Sequence, residues 1–168
     1  MTITAPPASL HSAQAATCLR LTSLSLHHFR NHSHTRLVLT EAPVVLHGAN
    51  GAGKTNILEA VSLLIPGRGL RKAKLAELTT HHAAHNTEWA VAANMHGAQG
   101  AVTIGTAKAM PTESGTERRD VKIDGKLIGQ QAELARHVRL LWLTPQMEQL
   151  FNEGGSEGRK FLDRLVYG

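Results

Sequence analysis

The sequence predicts an α/β fold, a core built around a phosphate-binding loop and carrying a β-rich insertion. Three observations predict it. A short apolar run, Val44-Val45-Leu46, leads into a glycine-rich loop, Gly48-Ala49-Asn50-Gly51-Ala52-Gly53-Lys54-Thr55. Apolar residues at helical spacing follow it, at Ile57, Leu58, Val61, Leu64 and Ile65. Farther on, strand-like segments end in Val121-Lys122-Ile123-Asp124-Gly125-Lys126-Leu127-Ile128, a hairpin whose Asp-Gly pair supplies both positive-φ positions of a type I′ turn.

The elements follow in order. Leu19, Leu21, Leu24 and Leu26 read as a strand with one slip in its alternation, and Thr35-Arg36-Leu37-Val38-Leu39 as a second. Pro43 stands at the entry to a third strand, Val44-Val45-Leu46, whose continuous apolar run predicts burial on both faces. The helix covers residues 56–64 and stops at Pro66-Gly67. Residues 88–95 and 101–106 read as strands, residues 131–137 as a short helix, and Leu140-Leu141-Trp142-Leu143 as a buried strand. Residues 158–167 begin another helix. Trp89 and Trp142 read as core residues.

Strand, glycine loop and helix is the order that phosphate binding requires. The glycines let the backbone wrap so that N–H groups face the phosphates, and the helix adds its positive end. In such a Walker A loop Lys54 reaches the β- and γ-phosphates and the Thr55 hydroxyl ligates Mg²⁺. Hydrolysis also needs a carboxylate at the end of an apolar strand. Asp124 lies in the hairpin turn and Asp163 lies in a helical segment among charged neighbours, so neither fits, and no catalytic residue is assigned.

Composition narrows the classes further. The 168 residues suit one domain with a real core. No apolar run approaches the roughly 18–20 residues of a membrane span. Residues 1–17 contain no Asp, Glu, Lys or Arg and read as a solvated, disordered tail, or as the product of a mis-set start codon. Cys18 is the single cysteine, so no internal disulfide forms; this fits a cytoplasmic location and an inert thiol. The net charge of +5 suits a polyanionic partner such as DNA, and equally a basic housekeeping domain. His81, His82 and His85 look metal-like, but with no Cys, Asp or Glu at ligand spacing they read as loop histidines.

With these residues in hand, the chain resembles the N-terminal half of RecF, the bacterial recombination and gap-repair ATPase related to SMC and ABC-type ATPase heads. The strand ending Phe29-Arg30-Asn31 resembles the first strand of that family. His47-Gly48-Ala49-Asn50-Gly51-Ala52-Gly53-Lys54-Thr55-Asn56-Ile57-Leu58-Glu59-Ala60 is similar to its loop and helix. Gly67-Arg68-Gly69-Leu70-Arg71, Leu143-Thr144-Pro145 and Arg159-Lys160-Phe161-Leu162-Asp163 resemble further family segments, so the likeness covers about residues 19–163. Leu70 replaces the usual aromatic, and Gln146 stands where the family usually shows Glu.

The resemblance implies an ABC/SMC-head-like P-loop NTPase core, with residues 18–168 its N-terminal portion and about 87–128 the β-rich lobe on the adenine side. It implies Arg30 and Asn31 near the base or ribose, Gln146 near Mg²⁺ and the attacking water, and Arg68, Arg71 and Lys74 toward the γ-phosphate or DNA. ATP and Mg²⁺ are the implied cofactors. DNA at single-/double-strand junctions, RecO/RecR-type loading partners and an ATP-dependent homodimer are the implied partners. The family's C-terminal half carries the signature and Walker B carboxylates, and the chain stops before them, so we expect a truncated head that binds nucleotide and hydrolyses it poorly. The alternatives are a non-hydrolysing, DNA-associated remnant and another P-loop class such as a small-molecule kinase.

Overall fold

The computed structural model describes residues 2–4, 19–80, 87–109 and 118–145. Most of the strand residues described lie in one antiparallel sheet. Its strands are β2 (Arg20–Phe29), β3 (His32–Val38), β5 (Ala90–Gly97), β6 (Gly100–Lys108), β7 (Arg119–Ile123) and β8 (Lys126–Leu127). They lie in the order β3-β2-β5-β6-β7-β8. A separate two-stranded ladder joins β1 (Thr2–Thr4) to β4 (Val45–His47), and α1 runs from Lys54 to Ser62.

Alternation drives the sheet. In β5 every second residue points inward, and Val91, Ala93 and Met95 are buried. Register places Leu24 beside Ala93, Ala93 beside Ile104 and Ile104 beside Ile123, which makes one apolar row across four strands. The slip in the leucine pattern of the first strand has a physical cause: the β2–β5 register shifts between Leu21 and Ser23, a bulge that puts Leu24 and Leu26 on the inner face. The hairpin forms as its Asp-Gly pair requires, with φ of 49° at Asp124 and 79° at Gly125. The Asp124 carboxylate accepts the Thr103 N–H at 2.8 Å, which is a structural task.

Helix α1 buries Ile57 and Ala60, and Leu63 and Leu64 just beyond it, against this core. Trp89 is fully buried, stacks edge-to-face on Phe29 at 5.8 Å, and donates its Nε1–H to the Leu75 carbonyl at 2.9 Å. The last turn of α1 holds no basic residue of its own. Arg119 from β7 supplies one, donating to the carbonyls of Leu63 and of Ile65, the latter at 2.6 Å. Burial lowers the Arg119 guanidinium from its ordinary value to about 10, so it stays charged at neutral pH.

Several expectations are corrected. Thr2–Thr4, inside the expected tail, is a strand paired with Val45–His47; the rest of 1–17 lies outside the described residues. Val44-Val45-Leu46, expected to be covered on both faces, is open: Val44 is 41% and Val45 54% exposed. The reason is its pairing, since among the described residues β4 joins only β1 and stands outside the six-stranded sheet. The β-rich segment is present as expected, and β5 pairs directly with β2, so it continues the sheet that β2 and β3 begin. Helix α1 starts two residues earlier than its apolar spacing suggests, because Gly53 in the left-handed region caps it. It also stops earlier, at Ser62, where the Leu63 and Leu64 N–H groups bond back only three residues, to Ala60 and Val61 at 3.1 and 3.0 Å.

Two compact units divide the chain, Met1–Val138 and Arg139–Gly168. In the second, residues 139–144 carry no regular secondary structure. The buried strand expected at Leu140-Leu141-Trp142-Leu143 is absent there, with Leu141 46% and Leu143 65% exposed and Trp142 only half-buried. Among the described residues this segment has no ladder partner. Residues 158–167 lie outside the described residues.

Candidate functional site

The phosphate loop spans the gap between β4 and α1, as its sequence demands. Three of its glycines take positive φ: 145° at Gly48, 83° at Gly51 and 93° at Gly53. At Gly53 the requirement is double. A Cβ there would lie 2.5 Å from His32 Nε2 and 2.7 Å from Asn31 Oδ1, so only glycine fits without moving the wall behind the loop. That wall is the β2–β3 turn.

Lys54 is the first residue of α1, and its ammonium folds over the loop, donating to the carbonyls of Gly48 at 2.7 Å and Ala49 at 2.8 Å. Thr55 is exposed on the same first turn. This helix end has no side-chain cap hydrogen bond and no acidic residue in its first turn, so the chain itself does not neutralise its positive end. An ammonium, a hard hydroxyl oxygen and a helix N-terminus converge on one loop. That donor set suits phosphate with Mg²⁺.

Behind the loop runs a polar network. Asn31 Nδ2 donates to the Gly51 carbonyl at 3.3 Å, and His32 Nε2 lies 3.3 Å from the Gly53 carbonyl. Arg30, at φ 56°, turns inward and grips the Glu59 carboxylate through Nε at 3.0 Å and Nη2 at 2.8 Å. Its Nη1 donates to the Glu77 carbonyl at 2.8 Å. Glu59 is 2% exposed, and Arg71 reaches the same carboxylate at 3.3 Å. The basic segment is brought back here by its glycine turn. Gly69, at φ 70°, packs where a Cβ would lie 2.8 Å from Leu63, and the Leu70 N–H donates to Ser62 Oγ at 2.6 Å.

The structure therefore gathers residues 48–55, Arg30, Asn31 and Arg71 around one end of α1. Arg68 and Lys74 are exposed on the segment that holds Arg71. Gln146, Asp163, Cys18, His81, His82 and His85 lie outside the described residues. Among the described residues no three metal-ligating side chains cluster, and no helix is long and apolar enough to cross a membrane. Sequence reasoning missed His32, Asn56 and Glu59 as site residues. The available signal was spacing: Asn56 and Glu59 stand three apart on the helix that Lys54 begins, and so share one face.

The AAA domain family matches residues 23–140. The DNA replication and repair protein RecF of Rhizobium rhizogenes is 46% identical over 146 residues, which is 87% of this chain and 38% of that protein. RecF of Caulobacter vibrioides is 46% identical over 150 residues, again 38% of its length. The chain thus spans well under half of these curated relatives. Among solved structures, the recombination mediator protein RecF-ATP in the RecFOR pathway is similar at a TM-score of 0.69 and 25% identity, over 88% of this chain and 39% of that one. A RecF-ATPrS structure of the same pathway gives a TM-score of 0.70 at 24% identity, over 90% of this chain and 39% of that one.

Proposed function

This chain belongs to the AAA domain family, and from that membership we propose that it is the ATP-binding part of a RecF-like DNA repair and recombination protein. The observation that carries the reading is Lys54, opening α1 and bending its ammonium onto the carbonyls of Gly48 and Ala49 within a loop of positive-φ glycines. The backbone of residues 48–55 cradles the β- and γ-phosphates of ATP. Lys54 exchanges its loop carbonyls for phosphate oxygens, and the Thr55 hydroxyl holds Mg²⁺. Asn31 shapes the loop from behind, and Arg30 acts in the same wall near the nucleotide. Gln146 contacts Mg²⁺ and the attacking water.

The basic segment of Arg68, Arg71 and Lys74 meets the γ-phosphate or DNA. In the whole protein the head closes as an ATP-dependent homodimer on DNA at gaps, works with RecO/RecR-type loading partners, and acts in the cytoplasm. Similarity to RecF along 87% of the chain supports this reading over a small-molecule kinase. The chain alone binds Mg·ATP and turns it over poorly, because among the described residues no carboxylate closes an apolar strand beside the loop and Asp124 is held in its turn.

Calorimetric titration with Mg·ATP tests the reading. Lys54→Ala is expected to weaken binding about 10- to 100-fold, the range of one charge-assisted hydrogen bond. Wild-type chain should also melt later as Mg·ATP rises. Equal affinity in both proteins defeats the assignment.

A further inference from the structure

Asn56 links the exposed basic segment to the phosphate loop. Its Oδ1 accepts from Arg71 Nη1 at 3.0 Å, and its Nδ2 donates to Asn31 Oδ1 at 2.8 Å. Asn31 in turn spends its own Nδ2 on the Gly51 carbonyl at 3.3 Å. Three consecutive bonds thus run from a guanidinium to a carbonyl inside the loop.

The direction of the chain is fixed by chemistry. An asparagine amide reads equally well flipped, so each orientation has to be set by its neighbours. Arginine has donors only. It therefore forces Asn56 to turn its oxygen toward Arg71 and its NH₂ toward Asn31. Asn31 must then present its oxygen to Asn56, which leaves its NH₂ as the donor to Gly51. At the far end the Gly51 carbonyl is an acceptor only, so the two ends demand the same polarity. Arg71 is anchored for this task by the buried Glu59 carboxylate, which Arg30 holds from the other side.

We propose that Asn56 and Arg71 are positioning residues: through Asn31 they set the shape of the phosphate loop at Gly51, and toward a nucleotide without a γ-phosphate Arg71 acts by donor polarity passed through Asn56 rather than by direct contact. This deepens the nucleotide reading and rests on it for the affinity measurement alone. Arg71 keeps a 44% exposed side chain, so an anion that draws it away from Asn56 also releases the loop.

A double-mutant cycle on the full chain tests this, with Mg·ADP as the titrant, which lacks a γ-phosphate. Asn56→Leu keeps shape and removes both bonds without adding charge. Arg71→Met keeps the stem and removes the donors. Each alone is expected to weaken Mg·ADP about three- to tenfold, the scale of one net hydrogen bond. Because they act through one chain, Arg71→Met should cost less than twofold more in the Asn56→Leu background. Additive losses would mean that Arg71 works by direct contact, and would overturn the proposal.

Amide exchange in the nucleotide-free chain gives a second reading. Both single variants should speed exchange at residues 51–53 about tenfold while strand β5 is unchanged. If wild type binds no Mg·ADP but this exchange effect holds, the nucleotide reading fails and the positioning stands. Unchanged loop exchange in both variants overturns the positioning itself.

Discussion

The six-stranded sheet and the phosphate strand are made of similar apolar residues, yet only one of them hides those residues. In the sheet, Leu26, Trp89 and Ile104 are fully buried by neighbours the chain itself supplies. At β4 and the adjoining helix, Val45 is 54% and Leu58 53% exposed. The difference is pairing. Strands β2, β5, β6 and β7 each have a partner on both sides, whereas among the described residues β4 has only the three residues of β1. A groove of about 270 Å³ lined by Leu21, Leu24, Leu37, Leu46, Ile57 and Val61 marks the seam between the two regions. Burial therefore concentrates in the sheet, while the proposed phosphate site lies on the less covered edge.

Four substitutions probe that division, and their effects should fall in order from sheet to edge. Trp89→Ala is expected to cost about 3–5 kcal/mol, because it empties a fully buried site and leaves the Leu75 carbonyl without its donor. Urea unfolding reads this directly, and a loss under about 1 kcal/mol would show that the sheet is not the stable part. Gly53→Ala stands at the junction. It combines left-handed strain of about 1–2 kcal/mol with crowding against His32 and Asn31, and it should cripple nucleotide binding. Gly51→Ala, at φ 83° with open space around it, serves as its control: strain alone, with the milder loss. Equal effects at the two glycines would break the claim that the β2–β3 turn shapes the loop. Val45→Ala, on the exposed strand, should change stability by about 0.5 kcal/mol or less. A loss matching a core truncation would mean that β4 is buried in solution.

The parts legible in sequence were those fixed by local chemistry. Gly48, Gly51, Gly53, Lys54 and Thr55 announce the loop because glycine takes its positive φ angles without strain and the lysine and hydroxyl supply its charge and oxygen. Asp124-Gly125 announces its hairpin for the same reason. The leucine slip in the first strand was visible, and the bulge at Leu21/Ser23 explains it. What escaped was set by partners distant in sequence. Val44-Val45-Leu46 and Leu140-Leu141-Trp142-Leu143 have the composition of buried strands, but burial needs a neighbour on the ladder, and composition does not reveal one. Glu59 escaped because a lone glutamate in an amphipathic helix reads as a solvated charge. Only folding shows that Arg30, twenty-nine positions earlier, turns inward to meet it.

Arg119 ties the two regions together more tightly than their burial suggests. Just past the helix that opens at the phosphate loop, the Leu63 and Ile65 carbonyls are clasped by a side chain rooted in β7. The helix cannot fray from that end without stranding a buried guanidinium. Loop and sheet are thereby drawn into one cooperative melting event, and a molecule resting on the loop steadies strands it never touches.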